Sequence, residues 1–255
     1  MRLDQFLSAR TMYSRRELRQ MIQKGKATVD GAVVRKADQH VQPDENTVCL
    51  NGRHIPGDQY LYVLLHKPKG YVSSADEPGQ KSVLELVPPE LCRKDLRPVG
   101  RLDKDSTGML LLTDDGQLAH QVIAARSHVA KYYHIVLARP WEDGYAEKMA
   151  EGMVLADGAQ CLPAKAAPVE GTDREALICL HEGKYHQVRR MFAAAGNHVA
   201  ELARIAMGGL EMHQDLEIGT CCVLSEKDVQ KMLNCETNFA SLLQTLKKHS
   251  SCLLY

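Results

Sequence analysis

The chain has 255 residues, with 32 basic and 32 acidic side chains cancelling to a formal net charge of zero. That length fits one large domain or two smaller ones, and the balanced total leaves only the distribution of charge to indicate a nucleic-acid partner. No apolar run reaches the ~18 residues of a membrane-spanning helix, and the first residues, MRLDQFLSARTMYSRREL, lack the apolar middle of a signal peptide, so the expectation is a cytoplasmic protein. The eight cysteines form no C-x-x-C pair, the eleven histidines are scattered and no H-E-x-x-H occurs. Reduced thiols and no metal are therefore expected.

Residues 1 to about 58 differ from the rest. Between Met1 and Lys36 nine basic residues (Arg2, Arg10, Arg15, Arg16, Arg19, Lys24, Lys26, Arg35, Lys36) outnumber three acids (Asp4, Glu17, Asp30). Leu3, Phe6 and Leu7 have helical spacing. Ser14-Arg15-Arg16-Glu17 is a capping box for a second helix striped by Leu18, Met21 and Ile22, and Gly25 suits its left-handed stop. Thr28-Val29, Asp30-Gly31 and Val33-Val34 predict a hairpin. Asn51-Gly52 is a further turn, and the polar stretch from Gly52 to Asp58 reads as a linker. Arg15, Arg16 and Arg19 flank the second helix, with Lys24 and Lys26 beyond its end. Such a cluster suits phosphate contacts, which anchor RNA without reading its bases; a solvated helix face is the competing reading.

Beyond the linker, Tyr60 to Leu65 reads as a strand stopped by His66-Lys67-Pro68-Lys69-Gly70, and Ser82 to Val87 as a short helix. Met109 to Leu112 is a buried strand bounded by Asp114-Asp115-Gly116. Gln117 to Ile123 is helical. Lys131 to Leu137 alternates, with Tyr133, Ile135 and Leu137 on one side. Trp141 to Gly152 reads as a helix, Ala176 to His181 as a strand, and His186 to Ala195 as a helix. His198 to Ile205 and Leu216 to Leu224 read as strands, with a helix from Ser225. Strands in succession with few helices between them predict an α+β fold with a mostly antiparallel mixed sheet. No G-x-G-x-x-G and no P-loop signals a nucleotide cofactor.

Three segments carry reactive residues outside obvious core roles. The first, Arg97 to Thr113, crowds charges and hydroxyls ahead of the buried strand; if Arg101-Leu102-Asp103 is extended, Arg101 and Asp103 share a face. The others are Lys131-Tyr132-Tyr133 and Glu182 to Met191. No serine sits in a nucleophile elbow, which disfavours a Ser–His–Asp reading.

These segments also carry a resemblance. GRLDKDSTGMLLLT is similar to the signature of RsuA-type rRNA pseudouridine synthases, of the RsuA/RluA group. KYYHIVL and EGKYHQVRRMFAAAGNHVAELARIAMGGL resemble that family's two further motifs. HKPKGYV resembles its first motif, with His66 where asparagine is common. The N-terminal pattern L-D-x-F-L…S-R-R-E-L…I-x-x-G-K-x-x-V-D-G resembles an S4-like RNA-binding domain, which takes RNA by shape and backbone.

The resemblance implies residues 1–58 as an S4-like α/β domain, 59–235 as a catalytic domain of the pseudouridine synthase fold, and 236–255 as a helical tail. In that tail Phe239, Leu242, Leu243 and Leu246 have helical spacing, to pack on the body or to serve an interaction. It implies conversion of a uridine in ribosomal RNA, most closely small-subunit rRNA, to pseudouridine, with no cofactor and no metal, by a monomer acting on rRNA or an assembly intermediate. Asp103 would be the catalytic nucleophile. Arg189, rather than Arg101, would be the cation paired with it. Tyr133 would pack on the flipped uracil, with Tyr132 as the competing choice on the opposite face. Arg2, Arg15, Arg16, Arg19, Lys24, Lys26, Lys67, Lys69, Arg101 and Lys184 are the expected RNA contacts, with Arg126 as a further rim candidate. The alternatives are a large-subunit rRNA target, or a non-catalytic rRNA-binding or ribosome-assembly protein.

Overall fold

Two Asx–Gly turns organise the N-terminal part of the computed structural model, which describes residues 1–74, 77–124 and 129–249. Helices α1 (Leu3–Arg10) and α2 (Arg15–Gln23) precede four short strands, β1 (Ala27–Val29), β2 (Ala32–Val34), β3 (Val48–Leu50) and β4 (Arg53–Ile55). The strands form an antiparallel sheet in the order β2-β1-β3-β4. Asp30-Gly31 (φ 51° and 80°) and Asn51-Gly52 (φ 53° and 78°) turn the two hairpins, with the positive φ pair whose twist matches paired strands. The stretch expected to be a linker is therefore partly strand β4. Arg53 and His54 are exposed on the edge of the sheet, so β4 lacks the apolar alternation that would have marked it.

Helix α2 is capped as expected: the Glu17 N–H donates to Ser14 Oγ at 3.3 Å and the Ser14 N–H to Glu17 Oε2 at 2.8 Å. Leu3, Phe6, Leu7, Leu18 and Ile22 close over Ala27, Val48 and Leu50. Beside this core Asp4 is fully buried and meets Arg2, Arg15 and Arg19 at 3.0–3.2 Å. Burial alone would raise the Asp4 carboxyl, but hydrogen bonds from Arg19, Arg15 and Arg2 hold it below the usual carboxylate range. Residues Val87–Leu96 and Thr113–Asp115 belong to this same unit, tied in by a buried Arg93–Asp114 ion pair at 2.8 Å.

The second unit holds β5 (Tyr62–Lys67), β6 (Tyr71–Val72), β7 (Lys81–Ser82), a 3-10 turn at Val83–Leu86, β8 (Arg97–Pro98) and, as far as Leu112, β9 (Thr107–Thr113). It continues with α3 (Gly116–Ile123), β10 (Lys131–Leu137), α4 (Tyr145–Ala150), β11 (Lys165–Pro168), β12 (Glu175–Leu180) and α5 (Gln187–Ala194). Strands β13 (Val199–Met207), β14 (Leu210–Glu211) and β15 (Cys221–Val223) and helices α6 (Glu226–Asn234) and α7 (Phe239–His249) complete it. The main sheet runs β11-β12-β10-β13-β9-β5-β15, with β14 on β13 and β8 on β9. Most pairs are antiparallel and β13–β9 is parallel, so the expected α+β class with a mixed sheet is what forms.

Alternation along β10 divides two cores. Tyr133, Ile135 and Leu137 pack with Tyr145 and Met149 of α4 and Val188, Met191 and Phe192 of α5. Tyr132 faces the other side, among Phe239, Leu242 and Leu246 of α7, and its hydroxyl donates to the Thr237 carbonyl at 2.9 Å. The tail helix thus covers one face of the sheet. Two expected elements are shorter than the sequence suggested. Helix α4 starts at Tyr145 because Gly144 before it is left-handed (φ 92°), while Trp141 packs edge-on against Tyr145 and Phe192 from the preceding loop. The last strand covers only Cys221–Val223. Among the described residues no helix is long and apolar enough to cross a membrane.

One glycine fixes how β9 meets β13. Gly108 has φ +105°, and a Cβ there would lie 2.3 Å from the Arg204 carbonyl oxygen and 2.6 Å from its nitrogen. Both atoms are backbone in a buried strand and cannot swing aside. The Gly108→Ala variant is expected to lose roughly 2–4 kcal/mol of stability, from overpacking plus a forced positive φ. An unchanged urea midpoint would show that the strands tolerate separation.

Candidate active site

The β8–β9 connection, residues 99–106, folds back on itself. The Ser106 N–H donates to the Asp103 carbonyl at 3.0 Å. Ser73 clasps Leu102 twice, donating from Oγ to its carbonyl at 2.8 Å and accepting from its N–H at 3.0 Å. Beneath the loop lies Lys67, which is fully buried. Its ammonium donates to the carbonyls of Ser106 (2.8 Å), Asp103 (2.9 Å), Pro68 (3.0 Å) and, at longer range, Lys104 (3.4 Å). Burial pushes Lys67 down to about 8, against an upward pull from Asp103 and Asp105. Lys67 is therefore not the RNA contact expected of it. The pattern His-Lys-Pro reads as the end of a strand, yet the side chain turns inward to a cluster of backbone carbonyls, of which Asp103 and Lys104 also accept from the Ser106 and Gly70 N–H groups.

Above this loop opens a cleft of about 270 Å³, lined by Asp103, Tyr133 and Arg189 together with Arg101, Lys184, His186, Lys131 and Arg204. Tyr133, not Tyr132, faces it. Asp103 Oδ1 lies 3.5 Å from His186 Nε2, its carboxylate about a quarter exposed. His186 takes a left-handed conformation (φ 49°) just before α5, a strained state for a residue with a Cβ. It stacks on the exposed ring of Tyr185 at 3.9 Å.

Arg189 does not pair with Asp103 as expected. Its Nη1 donates to the Val199 carbonyl at 2.8 Å, and with the fork so anchored Nη2 reaches Asp105, at 3.2 Å. Its Nε is buried without a partner. Asp105, to which no role was assigned, is thus the acid nearest this arginine, while Asp103 turns toward His186. Arg101 is exposed at the cleft and, among the described residues, makes no ion pair. Lys69 pairs with Glu201, and Lys184 with Glu182. Arg2, Arg15 and Arg19 serve Asp4 with side chains still about half exposed (43, 49 and 51%). Arg16, Lys24 and Lys26 are exposed and form no ion pair among the described residues. Arg126 lies outside the described residues.

Lys131, in one of the three reactive segments, and Arg204 also line the cleft, with no role expected of either. Lys131 precedes Tyr133 by two positions on β10, so the same alternation that selects Tyr133 selects it. Burial pushes its ammonium down to about 8, and nearby Arg204 acts in the same direction. Arg204 sits in the middle of β13 and is only 3% exposed. A charge inside an apolar strand, Leu202-Ala203-Arg204-Ile205-Ala206, was the available signal. Among the described residues no group of three His, Cys, Asp or Glu side chains could hold a metal ion.

Residues 61–194 match the family model described as RNA pseudouridylate synthase, and residues 1–46 match that of the S4 domain. The chain is similar to ribosomal small subunit pseudouridine synthase A of Escherichia coli (strain K12), 37% identical over 235 residues that cover 91% of this chain and 100% of that protein. Its likeness to the protein of the same name from Vibrio cholerae is 39% over 230 residues, covering 90% and 98% of the two chains. An RNA pseudouridine synthase of Bacillus subtilis (strain 168) is 34% identical over 231 residues, 90% of this chain and 97% of that one. Among solved structures, a crystal structure of a pseudouridylate synthase superposes with a TM-score of 0.63 at 29% identity, covering 91% of this chain and 99% of that one.

Proposed function

Because the chain belongs to the RNA pseudouridylate synthase family, we propose that it converts one uridine of small-subunit ribosomal RNA to pseudouridine in the cleft above the 99–106 loop. The observation that carries this reading is the meeting of Asp103, Tyr133 and Arg189 on one cleft. The reaction is an isomerisation. The C1′–N1 bond of the nucleoside breaks, a C1′–C5 bond forms, the C5 proton leaves and N1 gains a proton, so nothing is oxidised or added and no cofactor is needed.

A uridine in a folded RNA must leave its stack to reach such a cleft, at a cost of a few kcal/mol. Tyr133 offers a face for the extruded base, a stacking worth roughly 1–3 kcal/mol. The Asp103 carboxylate acts at the step that breaks C1′–N1. Arg189 supplies fixed positive charge on the same wall, its guanidinium held by the Val199 carbonyl and Asp105. Arg101 and the exposed residues of the S4 domain, Arg16, Lys24 and Lys26, grip the backbone, with Arg2, Arg15 and Arg19 contributing their exposed sides. Lys69 and Lys184 would reach RNA by exchanging their carboxylate partners for phosphates. Two linked grips multiply affinity. The working unit is a cytoplasmic monomer on rRNA or a subunit-assembly intermediate.

Small-subunit and large-subunit rRNA from cells with and without the gene should differ at one small-subunit pseudouridine when mapped at nucleotide resolution. A change confined to large-subunit rRNA would overturn the target. Unchanged maps together with no release of the C5 proton from rRNA by the purified chain would overturn the activity.

A further inference from the structure

Arg204 is a full positive charge placed where the surrounding strand supplies nothing to neutralise it. A guanidinium cannot shed its proton, so its burial must be compensated by acceptors. Arg204 is 3% exposed. Its Nε donates to the Met109 carbonyl at 2.7 Å, and its Nη2 is buried with no hydrogen-bond partner. Among the described residues no carboxylate pairs with it. Arg204 is nevertheless among the residues that line the cleft.

Its position is fixed from two sides. Arg204 is the register partner of Gly108 on β9, whose missing Cβ lets the strands touch. It is also the register partner of Tyr133 on β10. Directly opposed residues on antiparallel strands project to the same face, about 5 Å apart. An unsaturated cationic donor therefore stands beside the ring on which the extruded base would stack. A planar ligand lying on Tyr133 presents its edge to this guanidinium.

Resting on the reading of this cleft as the uridine site, we propose that Arg204 donates a hydrogen bond to a carbonyl oxygen of the extruded uracil. When C1′–N1 breaks, the electron pair remains on the base and spreads onto its two carbonyl oxygens. A fixed donor there binds the departing base more strongly than the bound substrate, which raises the rate. Cytosine carries an amino group in place of one of these carbonyls and would set donor against donor, so the same contact supports the choice of uridine.

The test uses the full chain and small-subunit rRNA transcripts containing uridine, 2-thiouridine or 4-thiouridine, with C-nucleoside product measured by nucleoside mass spectrometry. A thiocarbonyl is a poor acceptor. The wild type should react about 10- to 100-fold more slowly on one thio substrate, mainly in kcat. In Arg204→Lys and Arg204→Gln that ratio should collapse toward unity while uridine turnover falls by a similar factor. Equal wild-type rates on all three substrates, or a ratio that survives in the folded variants, would overturn the proposal. Should neither variant fold, the structure of the wild type bound to substrate RNA decides: a guanidinium nitrogen within about 3.2 Å of a base carbonyl supports it, and one on a phosphate overturns it. A wild type inactive even on uridine transcripts would instead count against the reading of the cleft.

Discussion

The Asp103→Asn variant is expected to lose pseudouridine formation by at least about 10³-fold while keeping its fold and its grip on RNA. The substitution changes one oxygen to an amide nitrogen and removes the charge at nearly constant volume. Little structure depends on that charge. The Asp103 carboxylate is partly exposed and has one loose neighbour, His186 Nε2 at 3.5 Å. Its backbone carbonyl, by contrast, is held by Lys67 and by the Ser106 N–H, and both contacts survive the change. Stability should therefore move by less than about 1 kcal/mol. Release of the C5 proton from rRNA measures the chemistry, and filter binding measures the grip. A variant with full turnover would sink the assignment of Asp103; one that lost RNA binding in parallel would make it a binding residue instead. Asp105→Asn is the informative control. It should free Arg189 from its 3.2 Å partner and change turnover far less.

The resemblance named Asp103, Tyr133 and Arg189, and local rules account for part of how the chain around them folds. Alternation on β10 separated Tyr133 from Tyr132, and the structure puts them on opposite cores. The capping box at Ser14 and the Asp30-Gly31 turn formed where their chemistry required. What was missed depends on contacts distant in the chain. Nothing near Lys67 in sequence says that the carbonyls of residues 103–106 will lie above it, so it reads as a surface lysine. Nothing near Arg189 says that its guanidinium will be anchored on the Val199 carbonyl and so aimed at Asp105. Strand β4 reads as linker because its two exposed residues, Arg53 and His54, are polar on a sheet edge, where no apolar pattern is demanded. Trp141 has the right spacing for α4 but packs from outside it, since aromatic contacts do not need a shared helix.

The Lys67→Met variant is expected to lose activity on the order of 10²-fold with only a modest loss of stability, about 1–3 kcal/mol. The two effects separate because they draw on different terms. Methionine fills the site and removes the cost of burying an ammonium, and the Asp103 and Lys104 carbonyls keep the Ser106 and Gly70 N–H donors, which together offset much of the loss of the ammonium's hydrogen bonds. Activity has no such offset. The ammonium draws the carbonyls of Asp103, Lys104 and Ser106 to one point, and without it the loop carrying Asp103 relaxes; misplacement by an ångström is enough for a hundredfold loss. The pH dependence of the wild type should show the same division. Burial holds Lys67 at about 8, below the ordinary 10.5, so above pH 8 the folded chain has released a proton that the unfolded chain keeps. The unfolded state then binds more protons, and stability rises with pH. Between about pH 8 and 9 Lys67 should add roughly 1 kcal/mol, and Lys131, also held at about 8, acts in the same sense. Cys179, whose burial pushes its thiol up to about 11 from 9.0, and Cys92, Cys161 and Cys222, raised by burial in the same direction, give the opposite slope from about pH 8 upward and take back part of that gain. Activity should fall across this same interval, because a neutral amine has two N–H donors for carbonyls that three had held. Denaturant midpoints and turnover measured from pH 7 to 9 should therefore move in opposite directions. In Lys67→Met the stability gain should shrink to the part due to Lys131. Turnover and stability falling together would mean that Lys67 keeps its proton and that the loop is held in some other way.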